Sequence, residues 1–387
     1  MIRNRELGIY IHIPFCMKKC AYCDFLSNLQ DDGTIEKYVG KLIEEICAHG
    51  LNKGMVQQYT VTTVFLGGGT PSILNENQIT RIYDALKNAF DISENAEITI
   101  EANPGTVTAE KLEAYKKCGI NRISFGLQST NNEELKLLGR IHTYEEFVES
   151  YQLARSCGFN NINVDLISAI PKQTVKSWEE TLQKVIELEP EHVSAYSLIV
   201  EEGTPFAKMY GESCPGEKDL PSEEEERMIY YRTEELMERA GYHRYEISNY
   251  SKAGKECRHN LGYWERKEYL GIGLGAASLV DNTRFKNTDD LFYYMEHADE
   301  LVAIRENVEK LSVKGQMEEF MFLGLRKMEG VSVIEFENIF GKTMEECFGK
   351  QIRKLIEQGL LKQEDGRLML TRQGIDVSNY VFSEFLM

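Results

Sequence analysis

No stretch of this 387-residue chain is apolar for long enough to cross a bilayer. No secretory leader is expected either, since MIRNREL runs straight into an alternating apolar segment. A cytoplasmic protein, not an integral membrane protein, is therefore expected. The chain has no internal repeats and no low-complexity linkers. Positive charge is scarce: 44 Lys and Arg face 62 Asp and Glu, a formal net charge of -18. A field of that sign repels phosphate backbones and the anionic face of a membrane. No nucleic acid is expected among the partners. The nine cysteines do not form a disulfide framework, which belongs to short secreted chains. Six of them (Cys47, Cys118, Cys157, Cys214, Cys257 and Cys347) lack metal-ligand spacing, and most are expected to be small buried apolar residues.

The other three cysteines are different. Residues 8–25 read GIYIHIPFCMKKCAYCDF. Alternation through Ile9, Ile11 and Ile13 predicts a buried strand. Pro14 ends its ladder, and Cys16, Cys20 and Cys23 follow on a loop beyond its C-terminal end. Three thiolates are one short of a closed zinc site, and they suit a 4Fe-4S cluster with one iron left open. Spacing alone leaves two alternatives standing: a zinc site completed by a distant Cys or His, and three ordinary buried thiols. His12, inside the strand, reads as a satisfied core histidine.

Apolar periodicity then predicts helices at Thr34 to His49, Gln78 to Phe90, Ala109 to Cys118, Tyr144 to Cys157 and Trp178 to Leu188. Strands are predicted at Val61 to Leu66, Ala96 to Glu101, Arg122 to Gly126, Asn160 to Leu166 and His192 to Ile199. Six rounds of alternation over the first 200 residues predict a parallel α/β sheet with right-handed crossovers. A charged helix covers Ser222 to Ala240. Further on come helices at Met317 to Lys327, Ser332 to Phe340 and Met344 to Gln358, a hairpin about Asp365-Gly366, and a last helix from Thr371 to Phe385.

Several polar residues fall at predicted strand ends. Gly67-Gly68-Gly69-Thr70-Pro71 lets backbone groups approach a ligand closely. Glu101, Gln128 and Asp165 stand at or near later strand ends, and Arg140 could clamp a carboxylate. Taken singly, each has an ordinary explanation as a turn, cap or surface residue.

The C-x-x-x-C-x-x-C spacing, with Tyr22 before the last cysteine, resembles the radical S-adenosylmethionine (SAM) superfamily. That resemblance implies a 4Fe-4S cluster on Cys16, Cys20 and Cys23 whose open iron binds SAM. It also implies a partial (β/α)6 TIM-like barrel. The GGGTP stretch, with Gly68, Gly69 and Thr70, would meet the methionine amino group. Glu101 and Asp165 would meet the nucleoside, and Gln128 and Arg140 the ribose and carboxylate. Tyr10 and Tyr22 would line the adenine and methionine ends. No residue is assigned a catalytic role.

Over nearly its whole length the chain resembles the anaerobic coproporphyrinogen III oxidases, including their C-terminal domain, an α+β winged-helix-like module. Those enzymes carry a fourth cysteine two positions after the third, where this chain has Phe25. The CDF ending resembles the HemW-type heme chaperones instead. A second stretch, H-N-x-x-Y-W from His259 to Trp264, resembles the heme-binding motif of that branch. It implies His259 as a heme contact, with Cys257 as a second candidate ligand. On chemistry alone His259 reads as a turn cap beside core aromatics. Gly271, Gly273 and Gly275 lack the βαβ context of a dinucleotide fingerprint. They predict close backbone approach to a cofactor or porphyrin pocket.

The expected organisation is a barrel over residues 1–240, a heme-motif and connecting region over 241–310, and the C-terminal domain over 311–387. The expected function is to bind heme and deliver it to an acceptor such as a respiratory haemoprotein. The alternative is a radical SAM oxidoreductase acting on a porphyrinogen.

Overall fold

The isoleucine alternation does form the first strand. In a computed structural model, which describes residues 5–51 and 58–386, β1 runs Arg5–Ile13 with Ile9, Ile11 and Ile13 fully buried. It is followed by α1 (Asp32–Leu51), β2 (Tyr59–Gly68), α2 (Glu76–Ala89), β3 (Ile92–Ala102), α3 (Ala109–Lys117) and β4 (Arg122–Gln128). Next come α4 (Asn132–Leu137), α5 (Tyr144–Ser156), β5 (Ile162–Ser168), α6 (Val175–Glu187) and β6 (His192–Ser197). Strands β1 to β6 pair in chain order and all run parallel, as helical crossovers on one face of a twisted sheet require. Helix starts are set locally. Asn75 with Gln78, Thr143 with Glu146 and Thr174 with Ser177 close capping boxes.

The barrel stays open. After α7 (Pro205–Tyr210) and α8 (Glu223–Arg239), short strands β7 (His243–Glu246) and β8 (Asn249–Ser251) extend the sheet antiparallel beyond β6. After α9 (Arg258–Trp264), β9 (Tyr269–Ile272) pairs parallel with the free edge of β1. The strands β10 (Ala277–Val280), β11 (Thr283–Asn287) and β12 (Arg305–Lys310) continue antiparallel, with α10 (Leu291–His297) between the last two. The product is a twelve-stranded open sheet around a six-stranded partial barrel.

One face of β1 to β6 packs on the helices. There Ile9, Ile11, Val64, Ile100 and Val164 meet Val39, Leu42, Ile82, Leu112 and Leu182 in the main core. Alternate residues share the other face, and that face is polar. His192 Nδ1 lies 2.6 Å from Asn163 Oδ1, whose amide donates to Ser124 Oγ at 2.7 Å.

The C-terminal part has its own core of Met321, Leu325, Phe336, Phe348, Leu355 and Phe385. It comprises α11 (Val313–Gly324), β13 (Val331–Ser332), α12 (Val333–Phe340), α13 (Met344–Glu357) and the hairpin of β14 (Leu361–Glu364) and β15 (Arg367–Leu370). Asp365 and Gly366 both take positive φ, as the hairpin signal requires. The single last helix expected over Thr371 to Phe385 is instead two, α14 (Arg372–Asp376) and α15 (Ser378–Ser383), because Val377 leaves helical geometry. This part docks on the turn before β9 and on β11 through the buried carboxylate of Glu319. It accepts from Arg266 and Arg284 at 2.8 Å each. Arg326 lies 4.3 Å over the Trp264 ring.

Candidate functional site

Pro14 turns the chain out of β1, and the loop that follows carries Cys16, Cys20 and Cys23, each half-buried. Its backbone is pinned at several points. Cys16 N donates to Asn28 O, Asn28 N to Pro14 O, and Ala21 N to Leu138 O. His12 holds Leu26 O with Nε2 at 2.8 Å and the Tyr10 hydroxyl with Nδ1 at 3.0 Å, so it is the satisfied core histidine its position suggested. Burial, followed by the neighbouring Cys20 and Cys16, raises the Cys23 thiol. Two donors aim at the sulfurs: Thr70 Oγ1 at Cys16 Sγ and Arg140 NH1 at Cys20 Sγ, each at 3.5 Å. Among the described residues no three His, Cys, Asp or Glu side chains are arranged around a single metal ion.

The glycines at the end of β2 are there for steric reasons. Gly69 N donates to Ile13 O and Thr70 N to Phe15 O, which presses this turn onto the start of the thiol loop. A Cβ on Gly68, at φ +108, would stand 2.4 Å from the His12 ring, and one on Gly69 2.6 Å from Phe15 O. Freed of side chains, Gly68 N donates to Glu101 Oε2 at 3.0 Å. Burial, and then the nearby Asp165, pushes the Glu101 carboxyl up to about 8. Asp165 itself accepts from Ser124 Oγ at 2.9 Å and Asn163 Nδ2 at 2.8 Å.

Gln128 ends β4 at φ +74, just past a register shift between β4 and β5. A non-glycine residue at positive φ stores strain of the kind found at functional sites. Arg140 donates through NH2 to Gly126 O at 2.6 Å and to Asn103 Oδ1 at 2.7 Å. Tyr22 meets Phe206 edge-on at 6.4 Å. Asn103, in an Asn-Pro-Gly run, is not among the residues expected from sequence. Its position two residues after Glu101, past a strand end, was the signal available.

Gly68, Gly69, Thr70, Glu101 and Gln128 thus stand at strand C-termini or in the turns just beyond, where barrels of this kind gather functional groups, while Asp165 lies in the middle of β5. The residues fit a sulfur-ligated cluster and a carboxylate-bearing ligand. Three thiols share one loop, and donors that stabilise thiolate charge point at two of them. Arg140 Nε is buried without a partner, and a buried guanidinium N–H suits a carboxylate oxygen.

His259 is elsewhere. It sits at the start of α9, against Gly8 of β1 and Thr63 of β2. Gly8 is five strand positions, roughly 16 Å, from the Ile13 end where the thiols begin. The ring is buried and stacked on Phe65 at 5.2 Å. Nδ1 meets Thr63 Oγ1 at 2.8 Å, and Nε2 meets Tyr263 OH at 2.9 Å. Burial, then the Arg122 charge, pushes the imidazole down to about 3. The start of α9 rests on the Glu97 carboxylate, which accepts from the Arg258 and His259 N–H groups at 3.1 Å. Burial pushes the Cys257 thiol up to about 12, so it stays protonated near neutral pH. A cavity of about 200 Å³ opens beside His259, Tyr263, Tyr269 and Lys267. That is below the roughly 300–1,000 Å³ of typical small-molecule pockets.

The glycines of the YLGIGLG stretch do approach backbone closely, but the backbone is the protein's own. A Cβ on Gly271 would strike Ala277 O at 2.2 Å, and one on Gly273 would strike His12 O at 2.8 Å. This corrects the cofactor or porphyrin pocket expected there.

Comparison with known proteins shows the family and agrees with the fold. Residues 10–185 match the radical SAM superfamily and residues 311–377 the HemN C-terminal domain. A Lactococcus lactis protein named heme chaperone HemW is 39% identical across 98% of this chain and 97% of its own. The Bacillus subtilis protein of that name is 38% identical across 97% and 98%. The solved coproporphyrinogen III oxidase (HemN) of Escherichia coli, described as a radical SAM enzyme, superposes with a TM-score of 0.85 over 99% of this chain and 90% of its own, at 24% identity. With a radical SAM barrel, a HemN-type C-terminal domain and full-length relatives above 30% identity, the chain belongs to the HemW heme-chaperone family.

Proposed function

We propose that this protein binds heme together with a 4Fe-4S cluster and SAM, and delivers the heme to an acceptor haemoprotein. The observation that carries this reading is full-length kinship with proteins named heme chaperones. Cys16, Cys20 and Cys23 would hold the cluster, which with SAM supplies one-electron chemistry when bound. Arg140 would receive the SAM carboxylate on its free Nε, Gly68 and Gly69 would expose backbone to the methionine end, and Glu101 and Asp165 would take the ribose. Tyr10, Tyr22, Thr70 and Gln128 complete the proposed lining. His259 would contact heme. Because both ring nitrogens already have partners, axial ligation requires Nε2 to give up Tyr263. In this reading residues 1–240 carry the cluster, 241–310 the heme motif and 311–387 the docking module.

A second reading, oxidation of a porphyrinogen, is favoured by the close fold match to the oxidase. Against it stands Phe25, 63% exposed, where those enzymes have a fourth cysteine. Incubating the cluster-loaded protein with SAM, a reductant and coproporphyrinogen III decides between them. The chaperone reading expects no protoporphyrinogen; formation over many turnovers would reject it.

A further inference from the structure

Cys16 receives a side-chain hydrogen bond from Thr70 and Cys20 one from Arg140, and these two donors meet at one residue. Asn103 Nδ2 donates to Thr70 Oγ1 at 2.8 Å, and Asn103 Oδ1 accepts from Arg140 NH2 at 2.7 Å. The amide orientation is forced. Turned over, its NH2 would face the Arg140 guanidinium, which has only donors. With Nδ2 donating to Thr70, the threonine hydroxyl has its own hydrogen to give, and it points at Cys16 Sγ. With Oδ1 holding NH2 of Arg140, NH1 of that guanidinium points at Cys20 Sγ.

The relay therefore has a direction. Protons point outward from Asn103 through Thr70 to one sulfur, while Arg140 is steered to the other. The Asn103 backbone is held as well. Its N–H donates to Ser72 Oγ at 3.2 Å, and its carbonyl accepts from Thr106 N at 3.1 Å and Thr106 Oγ1 at 2.6 Å. Lys111 Nζ ties together Ser72 O and Thr106 O at 2.7 and 3.0 Å.

We infer that Asn103 is a positioning residue for the cluster: it orients Thr70 and Arg140 as hydrogen-bond donors to two of the three ligand sulfurs and so sets the cluster's reduction potential. This rests on the cluster reading above. Reduction adds negative charge to the cluster and its sulfurs, so donors to sulfur favour the reduced form and raise the potential.

The test compares the parent with Asn103→Leu and Asn103→Asp, each purified and reconstituted anaerobically. Iron and sulfide content and the EPR-monitored midpoint potential are measured. Asn103→Leu removes both bonds at similar size. It is expected to keep full iron and sulfide and to lower the reduced-to-oxidised ratio at fixed potential by about tenfold, about 59 mV for one electron. Asn103→Asp still accepts from Arg140 but draws the Thr70 hydroxyl to its carboxylate and adds charge, so its midpoint should fall at least as far. Unchanged midpoints in both variants would overturn the inference. So would loss of the cluster from both, which would make Asn103 necessary for assembly, not for tuning. A parent that holds no iron and sulfide would reject the cluster reading itself, and the inference with it.

Discussion

His259 Nε2 lies 2.9 Å from the hydroxyl of Tyr263, one turn further along the same seven-residue helix. The pair ties helix α9 to itself, while Nδ1 ties it to Thr63 on β2 at 2.8 Å. His259→Ala leaves two hydroxyls without their partner, at about 1–3 kcal/mol for each group left buried and unsatisfied. The expected outcome is a lower melting temperature together with a weaker heme titration. Lower melting with an unchanged heme titration would make His259 structural and remove it from the heme site.

Replacing any of Cys16, Cys20 or Cys23 by Ala is expected to abolish the cluster and leave the barrel folded. The thiol loop is held by backbone bonds to Asn28, Pro14 and Leu138, not by the sulfurs. Iron and sulfide analysis with circular dichroism checks this. Full iron content in any single variant would exclude that sulfur as a ligand.

Glu101 predicts a pH dependence. Burial and Asp165 hold its folded-state proton up to about 8, whereas an unfolded Glu releases its proton near 4.3. The raised folded value means the contribution is whole below about 4.3 and is lost as pH climbs toward 8. Each tenfold change in proton affinity is worth about 1.4 kcal/mol. Glu101→Gln keeps an acceptor for Gly68 N but does not titrate. Its melting temperature should match the parent near pH 4.5 and rise above it progressively to pH 8. A constant difference across that range would contradict the assignment.

Glu319 joins the C-terminal part to the sheet extension around β9 and β11, between Arg266 and Arg284. Glu319→Ala strands the mostly buried Arg266, and breaking such a pair costs about 3–5 kcal/mol. Arg284 is more exposed and adds less. Thermal unfolding should show an earlier transition, and limited proteolysis faster cleavage between β12 and α11. An unaltered melt would remove this contact from the docking energetics.

The parallel half of the fold was legible because long strands with two-residue alternation and helices with capping boxes write their own pattern. All six strands, β1 to β6, lie on the segments predicted for them. Strands β7 to β12 were not read. They are three to six residues long, and pairing with distant edges, not local alternation, makes them strands. The short helix at His259 rests on Glu97 from far back in the chain, a tertiary cap with no local sequence signal. Asn103 was missed for a related reason. A strand-breaking Asn-Pro-Gly looks the same whether its side chain faces solvent or a pair of sulfur-directed donors.

The central claim is tested most directly by anaerobic heme titration of the parent protein, with and without its reconstituted cluster, followed by mixing with an apo-haemoprotein. The account predicts saturable heme binding with a defined Soret shift, then transfer of that heme to the acceptor. Absence of saturable binding in both preparations, or heme that never leaves the protein, would contradict it.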